Sequence, residues 1–314
     1  MQDKTKCTKC VIDGCKICDE ISNNCIECKN NYKPHIDLTT KLIISCNLLC
    51  DLGKENKCLT CDMKEGKESN CGSCNEGYKL INGKCKKIEN SFIGVYDVKS
   101  TSNFTKIIRL IGYYGNNIKL SDFNIYVNGE KVEPKFLIAE DYTSLIYGDY
   151  AAYIFPKLGK NEVKIIFNKI LTNLDRLFEN CYDLISIEFS ETFDSSHVLS
   201  MKYIFSGCDS LEHVNISSLN TSITGDMQEM FSGCHSLTSL DLTNFDTRTV
   251  NSMQGMFASC DNLSYIDLSS FTTTYLEFRN YIFDDMGQNV TIIISKDAII
   301  KYKIPNGWNV IYID

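Results

Sequence analysis

The chain has 314 residues, 43% of them hydrophobic and 23% charged, with only 4 prolines. That composition excludes a collagen-like or wholly disordered chain, and the length predicts two or three domains. Acidic residues outnumber basic ones by 40 to 32, a formal charge of −8. No basic face is on offer to a nucleic-acid duplex, so nucleic acid is not an expected partner.

Thirteen of the 17 cysteines open the chain: Cys7, Cys10, Cys15, Cys18, Cys25, Cys28, Cys46, Cys50, Cys58, Cys61, Cys71, Cys74 and Cys85. Few large apolar residues accompany them, so residues 1–88 cannot bury enough surface to stay ordered unaided; cross-links are expected to do that work. Charge through Cys85 is balanced, 13 Lys against 12 Asp and Glu, a net of +1 that leaves −9 on the remainder. Two half-repeats align: Cys15-x2-Cys18-x6-Cys25-x2-Cys28-x3-Tyr32, and Cys58-x2-Cys61-x9-Cys71-x2-Cys74-x3-Tyr78, which ends in Asn82-Gly83-Lys84-Cys85. The pairs Cys7/Cys10 and Cys46/Cys50 precede them. This spacing resembles the furin-like, growth-factor-receptor type of cysteine-rich repeat, which implies a thin disulfide rod with little regular secondary structure.

Zinc is the competing reading, because Cys58, Cys61, Cys71 and Cys74 have the spacing of a four-thiolate site. The density of pairs, with His35 the one imidazole nearby, favours bridges and no metal. Thirteen is odd, so one cysteine is free, pairs elsewhere, or lost its partner with a removed N-terminal piece.

Residues 89–169 read as β structure. Phe104 to Tyr113, Phe123 to Val127 and Val163 to Phe167 are rich in Ile, Tyr, Phe and Val, and Asn128-Gly129 predicts a two-residue hairpin. A second turn is expected at Gly159-Lys160-Asn161. The segment is expected to cover the open end of the repeats that follow.

Residues 170–314 repeat. Leu171-x2-Leu174-x2-Leu177-Phe178-x2-Cys181 recurs as Val198-x2-Met201-x2-Ile204-Phe205-x2-Cys208, then at Met227, Met230, Phe231 and Cys234, and at Val250, Met253, Met256, Phe257 and Cys260. A decayed copy carries Leu276, Ile282, Phe283 and Met286. This three-to-four spacing predicts one face of a short helix. Each cysteine is followed by a strand pattern: Leu184-x2-Ile187-x-Phe189, Leu211-x2-Val214-x-Ile216, Leu237-x2-Leu240-x-Leu242 and Leu263-x2-Ile266-x-Leu268. Strand then helix in units of about 26 residues predicts an α/β leucine-rich repeat solenoid with a β-rich N-terminal cap. Leu219, Phe245 and Phe271 stand where common leucine-rich repeats place Asn, so an apolar ladder is expected there. With Met-Phe-Ser-Gly-Cys and Asp-Leu-Thr-Asn-Phe-Asp-Thr, the repeat resembles that of BspA-like surface proteins, which implies adhesion to cells, matrix or partner proteins. Cys181, Cys208, Cys234 and Cys260 are expected to be buried thiols. Val290 to Ile294 continues the strand pattern, and Trp308 to Ile313 closes the chain.

No apolar run approaches the length of a membrane span. No signal peptide precedes Cys7, so either the chain is a processed or truncated product or a secreted reading is wrong; the acceptor triplets below favour a processed, secreted or cell-surface protein. Acceptor triplets at Asn103, Asn215, Asn220, Asn262 and Asn289 fit glycosylation outside the cell. His35, His197, His213 and His235 sit in no catalytic motif, and no cofactor signature appears, so the reading is non-enzymatic.

One constellation suggests binding. The outward positions of successive repeat strands hold Glu188, Asn215, Asp241 and Asp267, beside a second column of Ser186, His213, Ser239 and Tyr265. Stacking makes these a negative stripe suited to basic peptides or weak Ca²⁺ binding, and a glycan on Asn215 would block part of it. The plainer alternative is that polar residues keep an exposed sheet soluble. The expected function is therefore binding of a protein or glycan ligand by an extracellular glycoprotein. Its rivals are a self-associating coat or fibril subunit joined head to tail, and an intracellular zinc scaffold.

Overall fold

The computed structural model describes residues 15–18, 25–28, 32–36, 43–48, 58–64, 67–99, 107–112, 118–137, 150–272, 274–296 and 304–313. The chain divides into two compact units, Met1–Ile88 and Glu89–Asp314.

The first unit has more regular structure than its composition suggested. Strands β1 (Cys15–Cys18), β2 (Cys25–Cys28), β3 (Tyr32–Ile36) and β4 (Ile43–Leu48) form an antiparallel sheet in the order β1-β2-β4-β3. Strands β5 (Cys58–Lys64) and β6 (Lys67–Cys74) make one hairpin, and β7 (Tyr78–Ile81) and β8 (Lys84–Lys87) another. The β7–β8 turn is Asn82-Gly83, with φ of 49° and 71°, the left-handed pair a two-residue hairpin requires. Disulfides join Cys58 to Cys71 and Cys74 to Cys85, with Cα separations of 5.4 and 5.5 Å.

The second unit starts with a cap. Strands β9 (Ser91–Val98), β10 (Ile107–Gly112), β11 (Phe123–Val127), β12 (Glu130–Val132), β13 (Lys135–Leu137), β14 (Tyr150–Ile154) and β15 (Gly159–Phe167) precede the repeats. The β11–β12 hairpin turns at Asn128-Gly129, with φ of 49° and 85°. Then come β16 (Leu184–Phe189), β17 (His213–Asn215), β18 (Ser239–Leu240), β19 (Tyr265–Leu268), β20 (Thr291–Ser295) and β21 (Asn309–Ile313). One sheet runs β12-β11-β15-β9-β16-β17, a second β18-β19-β20-β21, and a third β10-β14-β13. Strand β9 pairs antiparallel with β16, so cap and first repeat share a sheet.

The α/β assignment does not hold, and neither does the solenoid built on it. Among the described residues there is no α-helix, only a 3-10 turn at Leu120–Asp122, and the strands fall into several small sheets. The repeat strands themselves are divided between two sheets. Backbone geometry explains the missing helices. Arg176, Tyr203, Glu229, Gly255 and Tyr281 have φ between 49° and 62°, and Asn180, Gly207, Gly233, Ser259 and Asp285 have φ between 54° and 73°. Each supposed helix thus holds two left-handed residues four apart, where a right-handed helix needs φ near −63°.

What replaces the helix is a cross-repeat ladder. Alternate N–H groups donate to the next copy: Met201 to Asp226, Tyr203 to Gln228, Phe205 to Met230 and Gly207 to Ser232, at 2.7–3.0 Å. The same four bonds recur from Met227, Glu229, Phe231 and Gly233 to Ser252, Gln254, Met256 and Ala258. Intervening N–H groups close tight turns, as in Cys208 to Phe205 O. A turn and a helix put side chains on one face at similar intervals, which is why the apolar pattern alone suggested a helix.

The core lies inside this ladder. Phe178, Phe205, Phe231, Phe257 and Phe283 stack with centroids 5.4–6.1 Å apart and planes within 17° of parallel. Phe92 of β9 meets Phe178 edge-on at 4.6 Å, and Trp308 lies 5.2 Å from Phe283. Leu219, Phe245 and Phe271, where an apolar ladder is expected, are buried, and so is Phe193. Hydroxyls tie the copies beside them: Ser195 Oγ donates to Asn220 O, Thr221 Oγ1 to Asp246 O and Thr247 Oγ1 to Thr272 O.

Candidate functional site

The repeat strands are short and parallel, so residues in register line up on the outer face. Ser186 pairs with His213 and Glu188 with Asn215; Ser239 pairs with Tyr265. These pairs lie in two separate sheets; Glu188, His213, Asn215, Asp241 and Tyr265 are exposed while Asp267 is half-buried. A shallow groove of about 530 Å³ runs across the start of this face. Glu188, His213, Asn215 and Asp241 line it with Ser186 and Ser239; Asp267 and Tyr265 lie outside its lining.

Its other wall comes from the cap. Ile93 and Val95 of β9 and Glu162 of β15 complete the lining, with Ile187 and Val214 in the floor. Sequence reasoning missed these cap residues. The available signal was the apolar character of β9 on both faces: Phe92 and Tyr96 point into the core, while Ile93 is exposed and Val95 half-buried. Three carboxylates and no lysine or arginine face the groove among the described residues, so its rim is negative and its floor apolar.

The acidic positions also have a local task. Asp241 Oδ1 accepts from the Thr243 N–H at 3.0 Å and its hydroxyl at 2.7 Å, and Asp267 Oδ1 accepts from the Ser269 N–H. Asn215 Oδ1 does the same for Ser217, and its Nδ2 donates to Glu188 Oε1 at 3.2 Å. These are Asx turns that end each strand, so turn chemistry accounts for part of the recurrence of Asp and Asn. The Thr243 side-chain and backbone bonds hold the Asp241 carboxyl below the usual range.

The remaining sequence candidates separate clearly. Cys7, Cys10, Cys50 and Asn103 lie outside the described residues, as do the side chains of Cys15, Cys18, Cys25, Cys28, Cys46 and Cys61. The zinc alternative required thiolates at Cys58, Cys71 and Cys74, and those three sulfurs are in disulfides. Asn215, Asn220, Asn262 and Asn289 are all exposed, but Asn262 Nδ2 already donates to His235 O at 2.6 Å. Cys181, Cys208, Cys234 and Cys260 are buried free thiols whose Sγ atoms lie 3.1–3.5 Å from a backbone carbonyl, Leu110, Phe178, Phe205 and Phe231 in turn. Burial pushes all four upward, Cys181 and Cys260 to about 12, so none is poised as a nucleophile at neutral pH.

Residues 172–294 match a family described as Mycoplasma protein of unknown function, DUF285. The match covers the repeats and stops short of the cap and the cysteine-rich unit. No curated protein and no solved structure matches the chain. Among the described residues, no helix is long and apolar enough to cross a membrane.

Proposed function

We propose that the protein is a non-enzymatic, extracellular or cell-surface binding glycoprotein, and that the groove face of its repeats takes a protein or glycan ligand. The observation that carries this reading is the groove itself: an apolar floor with an acidic rim, built jointly by cap and repeats. Most of its backbone belongs to the paired strands β15, β9, β16 and β17, so little ordering is left to oppose binding. The disulfides at Cys58–Cys71 and Cys74–Cys85 and the exposed acceptor triplets suit an oxidising compartment outside the cell. The resemblance of the repeat to BspA-like surface proteins, and of the cysteine spacing to furin-like repeats, supports the same assignment. Adhesion is the role this implies.

The rim's charge makes a cationic, amphipathic segment the best-matched part of a ligand. Binding of a lysine-rich amphipathic peptide to immobilised full chain is expected to weaken with salt. It is expected to be lost in the double variant Glu188→Lys, Asp241→Lys. Unchanged affinity in that variant refutes the groove as the site. Intact mass under non-reducing conditions tests the compartment: each bridge removes two hydrogens, and a chain carrying all its thiols in the native state refutes the extracellular assignment.

A further inference from the structure

The two bridges of the first unit lie side by side and are not equally sheltered. Cys58 and Cys71 are each 5% exposed, whereas Cys74 and Cys85 are half-buried. A thiol arriving from solvent therefore meets Cys74–Cys85 first. The Cys85 sulfur also lies within 4.8 Å of the sulfurs of Cys58 and Cys71. It is held there by backbone: the Cys71 N–H donates to Gly83 O at 2.8 Å, which pins the turn before Cys85 against β6. In the β5–β6 hairpin, Cys58 stands opposite Cys74 and not opposite Cys71, to which it is bridged. Residues directly opposite in an antiparallel pair have Cα atoms about 4.5–5.5 Å apart, inside the range of about 4.4–6.8 Å that a bridge spans. One backbone arrangement thus suits two sets of bridges: Cys58–Cys71 with Cys74–Cys85, and Cys58–Cys74 with Cys71–Cys85.

We propose that Cys58, Cys71, Cys74 and Cys85 form a thiol-exchange site, at which a low-molecular-weight thiol converts the first set of bridges into the second. The thiolate of the small thiol attacks the Cys74 sulfur. A mixed disulfide forms at Cys74, the Cys74–Cys85 bond breaks, and Cys85 leaves as a thiolate. Cys85 then attacks the Cys71 sulfur beside it, so Cys71–Cys85 forms and Cys58 leaves as a thiolate. Cys58 attacks the Cys74 sulfur opposite it, which closes Cys58–Cys74 and expels the small thiolate. Three S–S bonds form and three break, so nothing is oxidised or reduced overall and the thiol is returned. The other attack open to Cys85, on Cys58, leads nowhere. It would leave Cys71 and Cys74 to pair along a single strand, where three residues span about 10 Å, beyond the reach of a bridge. An isolated bridge would open and reclose; here the buried neighbour captures the freed thiolate.

The full chain carrying Cys74→Ser isolates the central step, because Cys85 then has no partner and can act only on Cys58–Cys71. The variant is held at pH 8, quenched in acid, unfolded in urea and trapped with N-ethylmaleimide. The bridged cysteines are then reduced and alkylated with iodoacetamide, and peptide mass spectrometry reads which cysteine carries the maleimide. Maleimide is expected to shift from Cys85 to Cys58 as the time at pH 8 lengthens. Label that stays on Cys85, or that moves to Cys71, overturns the proposal. The unaltered chain gives a second reading that does not depend on the variant folding. With a catalytic amount of reduced glutathione, the bridges Cys58–Cys74 and Cys71–Cys85 are expected to appear while the number of free thiols stays constant. Tandem mass spectrometry that breaks the chain between Cys71 and Cys74 tells the two sets apart. Bridges that stay as they were, or that are lost with a matching rise in free thiols, overturn the proposal.

Discussion

Truncating the centre of the ring stack tests the physics of the array most directly. Phe231 is fully buried, with Phe205 at 5.4 Å on one side and Phe257 at 6.1 Å on the other. Phe231→Ala removes a ring from a close-packed column and leaves a cavity, a change that costs about 3–5 kcal/mol in protein cores. Both stacked contacts go with it, each contributing about 0.5–1.5 kcal/mol beyond its area. The backbone either side is fixed by inter-copy bonds at Phe231 and Gly233, so the site cannot collapse easily, and a loss of about 5 kcal/mol is expected. Trp308, the only tryptophan, reports on the far end of the same stack through its contact with Phe283. Urea unfolding followed by Trp308 fluorescence and by far-ultraviolet circular dichroism is the assay. In the variant the tryptophan transition is expected to precede the dichroic one, because copies beyond the gap lose their neighbour. A loss below about 1 kcal/mol, with coincident transitions, refutes the stack as the element that couples the copies.

Other outcomes follow from the ladders and the thiols. Thr221→Val deletes a hydroxyl that donates to Asp246 O and accepts from Asp246 N–H at 2.8 Å, leaving a part-buried donor without its partner, and is expected to cost about 1–3 kcal/mol by urea unfolding. At pH 8, iodoacetamide is expected to leave Cys181, Cys208, Cys234 and Cys260 unmodified in the native protein and to label all four in urea, as peptide mass spectrometry checks. The Asp241 carboxyl, held low by Thr243, lies below its unfolded value of about 3.9, so its stabilising contribution is complete above that pH and disappears as pH falls through the folded value. Thr243→Val is expected to move the Asp241 midpoint upward in a carboxyl NMR titration and to remove, at pH 7, the part of that contribution which the hydroxyl bond supplies.

The sequence carried the repeat register because each copy must bury the same side chains against the next. Phe205, Phe231 and Phe257, the thiol column and the apolar replacement at Leu219, Phe245 and Phe271 were all readable from spacing alone. Local chemistry revealed the Asn128-Gly129 hairpin for the same reason: only certain residues accept two successive left-handed conformations. The helix expectation failed because apolar spacing does not report φ. Glycine would have flagged the left-handed columns, but only Gly207, Gly233 and Gly255 mark them; Arg176, Tyr203, Glu229, Asn180 and Ser259 adopt the same geometry without a visible sign. The cross-repeat bonds that hold those residues are long-range, and no window along the chain contains both partners. The groove was half legible on similar grounds. Strand spacing gave Glu188, His213, Asn215 and Asp241, whereas Ile93, Val95 and Glu162 arrive through pairing of β9 with β15 and β16.

Because each joint between neighbouring copies is made by the same four amide bonds, one joint is interchangeable with the next. A recombination event that duplicates or deletes one whole 26-residue copy between Met227 and Asp261 therefore leaves every remaining joint intact. In such a chain the cap-side wall, Ile93, Val95 and Glu162, keeps its place against the first copies. The number of copies and the make-up of the groove are thus separately adjustable: one by counting units, the other by changing side chains next to the cap.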